Sequence, residues 1–208
     1  MKQTEAAATG IVYIVDDEEA VRDSIALLLR SVGIRSRGFA DARGFLAEHS
    51  SEQQGCLLLD VRMPGMSGLE LQHEMNRRGL AIPVIFITGH GDVPMAVEAM
   101  RAGAVDFLQK PFNDDDLIRR VQKALEQDRR LREQLMHLEQ IRRRYDSLTP
   151  REVEVAERLV AGDANKVVAL DLGLSERTVE LHRAHLMQKM QARGLAQLVQ
   201  MLLQLKNA

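Results

Sequence analysis

The chain of 208 residues lacks the features that define several large protein classes. Its single cysteine, Cys56, excludes an intramolecular disulfide framework. No apolar run approaches the roughly 18 to 20 residues that a helix needs to span a bilayer. The opening Met1-Lys-Gln-Thr-Glu-Ala-Ala-Ala-Thr9 has no apolar core of the kind found in a secretory signal. The expected location is therefore cytoplasmic, with no membrane partner. A strong charge of one sign is also missing, since the formal net charge is -2. Residues 1–125 hold 14 basic and 18 acidic side chains, residues 126–148 hold 6 and 5, and residues 149–208 hold 8 and 7. The near-neutral last segment shows no basic excess that would by itself mark a nucleic-acid binder. The length accommodates one good core and a smaller second unit.

What the chain does have is a series of short runs, most of them apolar, that end in polar residues. Ile11-Val-Tyr-Ile-Val15 runs into Asp16 and Asp17, Cys56-Leu-Leu-Leu59 into Asp60, Val84-Ile-Phe-Ile87 into Thr88, and Asp106-Phe-Leu-Gln109 into Lys110. Each run reads as a strand, and a further one covers Ile34–Phe39. Helix-period patterns follow from Glu18, near Asp41, and from Ser67, Asp92 and Asn113. Ser67 with Glu70 forms a capping-box signature, and Asp92 and Asn113 are good N-cap residues. Five strand–helix repeats over residues 10–125 predict an α/β domain with a doubly wound parallel sheet. The C-terminal ends of its strands face one ligand crevice.

The residue types at those ends specify chemistry. Asp16, Asp17 and Asp60 packed together would repel one another unless a divalent cation made the ionised cluster favourable. Mg2+ suits them, being a hard cation that takes oxygen ligands and bridges carboxylates to phosphate. A carboxylate can attack phosphorus to form an aspartyl phosphate, and Asp60 is the candidate nucleophile. Lys110 and Thr88 would stabilise the phosphoryl oxygens, because phosphoryl transfer depends mostly on positioning and electrostatics. Any one of these residues alone would more simply be a turn former or helix cap. Five matched polar residues at four strand ends outweigh that reading.

In this order of motifs the segment resembles the receiver domain of two-component response regulators. The resemblance implies a flavodoxin-like sheet of order 2-1-3-4-5 and Mg2+ held by Asp16, Asp17, Asp60 and the backbone carbonyl of Arg62. It also implies phosphoryl contacts from Thr88 and Lys110, and an aromatic switch at Phe107, which on residue type alone would be a core ring. A dimer face on the fourth helix and fifth strand is implied as well, with Val97 and Arg101 as its candidates. Cys56 reads as a small buried hydrophobe.

From Leu117 the helical pattern continues through Leu131, Leu135, Leu138 and Tyr145 among dense charges. Residues 126–147 read as a helical linker, either a solvated spacer or a short dimeric coiled coil. Leu148-Thr-Pro-Arg-Glu152 then opens residues 148–208 with an N-cap at Thr149, Pro150 at the first helical position and a capping box completed by Glu152. A helix over about Ala164–Leu172, a turn at Gly173-Leu174 and a helix capped by Ser175 make a helix-turn-helix pattern, followed by a fourth helix from Gly194. An ordinary helical bundle fits the same pattern.

Leu148-Thr-Pro-Arg-Glu-x-Glu-Val155, Asn165-Lys166, Ala169, Leu172-Gly173, Ser175, Thr178-Val179, His182 and Lys189 resemble the LuxR-type four-helix DNA-binding domain. The two resemblances together indicate the FixJ/NarL class. The stretches Asp60–Glu70 and Thr88–Asp92 are FixJ-like.

Around the second helix of the motif, Lys166, Arg177, Thr178, His182, Arg183 and Lys189 are candidates for phosphate contacts, with Asn165 and Ser175 beside them. Glu180, Leu181 and Ala184 take the base-reading positions, where Glu180 could accept from cytosine N4 and Leu181 could pack on a thymine methyl. A solvated helix face is the plainer reading of each charged residue, and Val179, Leu186 and Met190 read as core.

The expected function is phosphorylation-controlled transcription regulation, with a sensor histidine kinase, a two-fold DNA site, a homodimer and RNA polymerase as partners, and no enzymatic turnover. An aspartyl-phosphate hydrolase would usually carry a second acid two residues after its nucleophile, where Arg62 stands. An adaptor would pair the receiver with a bundle that does not bind DNA.

Overall fold

Period-two alternation decides how the first half of the chain folds. In the computed structural model, which describes residues 10–50, 53–89 and 93–206, the strands are β1 (Ile11–Val15), β2 (Ser36–Phe39), β3 (Gly55–Asp60), β4 (Val84–Thr88) and β5 (Asp106–Gln109). They form one parallel sheet of order β2-β1-β3-β4-β5. The expected α/β class and strand order are those observed.

Tyr13, Val15, Leu57, Leu59 and Phe86 project to one face, where α2 (Ala42–Glu48), α3 (Gly68–Arg77) and α4 (Val93–Arg101) supply Phe45, Leu71, Met75 and Ala99. Val12, Ile14, Leu58, Ile85 and Ile87 project to the other, where α1 (Glu19–Ser31) and α5 (Asp114–Asp146) supply Ile25, Leu29, Leu117 and Val121. A sheet covered on both faces explains why all six residues of β3 are buried.

Local signals set the helix starts. The Asp41 carboxylate accepts from Gly44 N at 2.8 Å. Ser67 and Glu70 form a complete capping box. Asn113 Oδ1 accepts from Asp115 N at 2.9 Å. The expected cap at Asp92 lies outside the described residues.

α5 is one helix of 33 residues, so the pattern that runs on past Leu117 is a single element. Leu131 and Leu135 are exposed on it, whereas Asp128 and Ile141 are buried. A plain solvated spacer over residues 126–147 therefore describes only its middle. The chain divides into compact units at Arg132 and Glu133, inside this helix.

In the second unit, α6 (Pro150–Ala161) starts at a Thr149–Glu152 capping box. α7 (Asn165–Leu172) ends at Gly173, whose φ of 65° turns the chain sharply toward α8 (Glu176–Met190). Ser175 caps α8 by accepting from Thr178 N at 3.1 Å, and α9 (Leu195–Lys206) closes the bundle. Its core gathers Ile141, Val155, Leu159, Val168, Val179, Leu186, Met190 and Leu198. The expected core positions Val179, Leu186 and Met190 are all there.

Candidate functional site

The pairing of β1 with β3 sets Val15 beside Leu59, which brings Asp16 and Asp60 to the same level of the sheet. Both are buried, at 3% and 7% exposure. Lys110, just past β5, donates from Nζ to Asp16 Oδ2 at 2.7 Å and to Asp60 Oδ1 at 3.1 Å. The remaining oxygens are also engaged: Asp16 Oδ1 accepts from Glu18 N at 2.9 Å, and Asp60 Oδ2 from Arg62 N at 2.7 Å. Three residues separated by up to 94 positions in sequence thus meet in one charged cluster.

Burial is the largest influence on Asp60 and raises its pKa, opposed by the Lys110 ammonium and the Arg62 amide. For Lys110 burial works against the charge, but the contacts with Asp16 and Asp60 outweigh it and raise the pKa. The ammonium stays charged between its two carboxylates.

Thr88 is buried at the end of β4, and its carbonyl accepts from Lys110 N at 2.8 Å. Phe107 pairs across the sheet with Phe86 and packs, half-buried, against the α2–α4 face. Gly68 approaches Asp60 so closely that a Cβ there would lie 2.2 Å from the Asp60 carbonyl oxygen, so only glycine can open α3 at this point. Arg22 donates to the backbone carbonyls of Asp16 and Asp17 at 2.7 and 3.1 Å, fixing the turn after β1. Sequence reading missed Arg22, because an arginine on the first turns of a helix has no distinguishing pattern.

Asp17, which follows Asp16, is exposed, and Lys110 bridges the buried Asp16 and Asp60; among the described residues no three or more His, Cys, Asp and Glu side chains are gathered as a ready metal site. The donor set still suits a hard divalent cation, since the carboxylates of Asp16 and Asp60 and the exposed carboxylate of Asp17 are all oxygen donors. Asp17 and Arg62 border a shallow depression that also takes in Met63, Ser67 and Met95.

Val97 and Arg101 both lie exposed on α4. In the second unit, Lys166, Arg177, Glu180, Leu181 and Ala184 are exposed, while Asn165, Thr178, His182, Arg183 and Lys189 are half-buried. Arg183 donates to Asn165 Oδ1, tying α8 to α7. The Ser175 and Thr178 hydroxyls share a hydrogen bond of 2.8 Å.

Lys189 has partners inside the domain: it donates to Glu152 Oε2 at 2.7 Å and to Ser147 O at 3.3 Å. Glu152 is buried. Burial would raise its pKa, but the Lys189 ammonium and the Thr149 amide and hydroxyl hold it at about 2. The capping-box pattern announced Glu152 as a cap; nothing in the sequence announced its reach to α8.

Both parts of the chain are similar to known proteins. Residues 12–122 match the response regulator receiver domain, and residues 146–202 match the luxR family of bacterial regulatory proteins. Nodulation protein W of Bradyrhizobium diazoefficiens is 46% identical over 198 residues, covering 95% of this chain and 87% of that protein. Transcriptional regulatory protein FixJ of Azorhizobium caulinodans is 47% identical over 192 residues, covering 92% and 91%. The low-resolution structure of response regulator StyR superposes with a TM-score of 0.85 at 42% identity, covering 93% of this chain and 98% of that one. Lysine-bridged strand-end carboxylates followed by a capped helix-turn-helix, matched along nearly the whole chain, place this protein among the two-component response regulators that join a receiver to a LuxR-family DNA-binding domain.

Proposed function

We propose that phosphorylation of Asp60 switches this response regulator between weak and strong DNA binding. The observation that carries the assignment is Lys110 Nζ standing between Asp16 and Asp60. An Asp60 oxygen attacks the phosphorus of a phosphohistidine, the O–P bond forms as the N–P bond breaks, and the freed imidazole nitrogen keeps the electron pair and takes a proton from solvent. Lys110 is already hydrogen-bonded to the nucleophile, so its charge is in place for the phosphoryl oxygens without reorganisation. Thr88 supplies a hydroxyl for the same group, and Phe107 responds to its displacement.

Mg2+ held by Asp16, Asp17, Asp60 and the Arg62 carbonyl would supply further positive charge to the phosphoryl oxygens. Residues 10–125 then act as receiver, 126–147 as the connecting helix and 148–208 as the DNA-binding domain. The exposed Arg177, Glu180, Leu181 and Ala184 of α8 support a major-groove role for that helix.

The protein works in the cytoplasm as a homodimer on a two-fold site, with a histidine kinase and RNA polymerase as partners and no turnover of its own. No helix among the described residues is long and apolar enough to cross a membrane. Incubation with acetyl phosphate and Mg2+ should label the parent protein stoichiometrically. The Asp60→Asn protein should take no label, because an amide is a poor nucleophile. Equal labelling of the two would remove Asp60 from the mechanism.

A further inference from the structure

The end of β3 opposite Asp60 carries a second buried carboxylate that phosphorylation chemistry does not use. Asp128, on α5, is 2% exposed. Its Oδ2 accepts from the amide of Gly55, the first residue of β3, at 2.9 Å. Arg132, one helical turn on, donates from Nε to Asp128 Oδ1 and Oδ2 at 3.0 and 2.9 Å, and its second guanidinium nitrogen donates to Gln53 O at 2.6 Å. The strand presents a bare backbone to this cluster because Gly55 admits no side chain: a Cβ there would lie 1.8 Å from Ile11 O.

A carboxylate on a helix surface has no need to leave water, and desolvating it is costly unless it is paired and hydrogen-bonded. Asp128 has both compensations, from elements more than 70 residues apart in sequence. Past the cluster α5 carries exposed Leu135 and Met136. Further along, Ile141 is buried in the core of the DNA-binding domain. A helical stretch that loses tertiary contacts frays readily.

We propose that Asp128, with Arg132, is a positioning clamp. It fastens the base of the strand that bears the phosphoacceptor to the helix that leads to the DNA-binding domain. The clamp keeps α5 in register with β3 past Leu125, and the phosphorylation-dependent gain in DNA binding needs it, whereas phosphoryl transfer does not. This rests on Asp60 being the phosphoacceptor.

The test uses the full chain. Hydrogen exchange of α5 amides is followed in the unphosphorylated parent, Asp128→Ala, Asp128→Asn and Arg132→Gln proteins. Labelling by acetyl phosphate is measured alongside. DNA affinity is measured before and after labelling on a duplex that the parent selects from random-sequence DNA. In Asp128→Ala, amides 126–140 should exchange at least about tenfold faster while those of 117–124 hold, as for a local opening. Labelling should stay within about twofold, and the affinity gain on labelling should fall at least about fivefold. Asp128→Asn keeps an acceptor for Gly55 and should fall between the two.

Unchanged exchange at 126–140, or an undiminished gain in affinity, overturns the clamp. If Asp128→Ala does not fold, Asp128→Asn and Arg132→Gln are judged by the same criteria. Absence of label in the parent would sink the phosphorylation reading instead, and the exchange measurement would still judge the clamp.

Discussion

Residues whose chemistry interrupts a pattern can be read from sequence, and residues that agree with their surroundings cannot. Asp16, Asp60 and Thr88 each break an apolar run at its end and Lys110 follows a short strand, so their convergence could be anticipated once the sheet was. Asp128 and Glu152 sit among other charges on helices, where a solvated face is the default reading, and only tertiary structure reveals that they are buried. Thr88 tests the switch. If the phosphoryl group draws its hydroxyl inward and Phe107 fills the space, Thr88→Ala should accept label at Asp60 yet show little labelling-dependent DNA binding. Full activation of that variant in a gel-shift titration would uncouple Thr88 from Phe107.

Glu152 supplies a pH test at the same scale. Its ordinary pKa of 4.5 is held at about 2 in the folded domain. The unfolded chain therefore binds this proton first as pH falls, and the stabilisation is complete above 4.5 and is lost as pH drops toward about 2. The stability difference between parent and Glu152→Gln, followed by amide exchange in α8, should shrink across that interval. A difference that stays constant would mean the Lys189 pairing contributes nothing.

At the scale of elements, the helix starts are the most legible feature, because Asp41, Ser67, Asn113, Thr149 and Ser175 each satisfy backbone donors through their own side chains. The extent of α5 is less so. Its periodicity gives one long helix, but the division between units at Arg132 and Glu133 follows no break in composition. It depends on which core each turn of the helix enters.

On α8 the exposed residues separate by chemistry. Arg177 has an exposed charge suited to a phosphate, and Leu181, 54% exposed, an apolar surface suited to a thymine methyl. Arg177→Ala should weaken binding to all sequences alike and reduce the slope of log affinity against log salt by about 1. Leu181→Ala should leave that slope unchanged and relax preference at one base position. Identical salt slopes for parent and Arg177→Ala would take that residue off the DNA backbone.

At the scale of the whole molecule, the nearly balanced charge of the DNA-binding segment becomes a mechanical requirement. With 8 basic and 7 acidic side chains over residues 149–208, of which Lys189 is neutralised by Glu152, one copy can release few counterions and should bind weakly. Two copies on a two-fold site gain through effective concentration without any new contact to DNA. The receiver is then the natural source of pairing, and α4 offers an exposed apolar surface at Val97 and Met100, 43% and 48% exposed, with Arg101 beside them. A phosphoryl group can favour the pair only if it binds the paired form more tightly than the free one, so dimerisation and labelling must promote each other. Val97→Asp and Arg101→Glu should leave Asp60 labelling within about twofold of the parent, while sedimentation shows fewer dimers and DNA affinity falls in step. If labelled parent protein saturates DNA at concentrations where it sediments as a monomer, pairing in solution is not the switch. Release of the DNA-binding domain by the receiver would then be the mechanism, and the two α4 substitutions should leave DNA affinity unchanged.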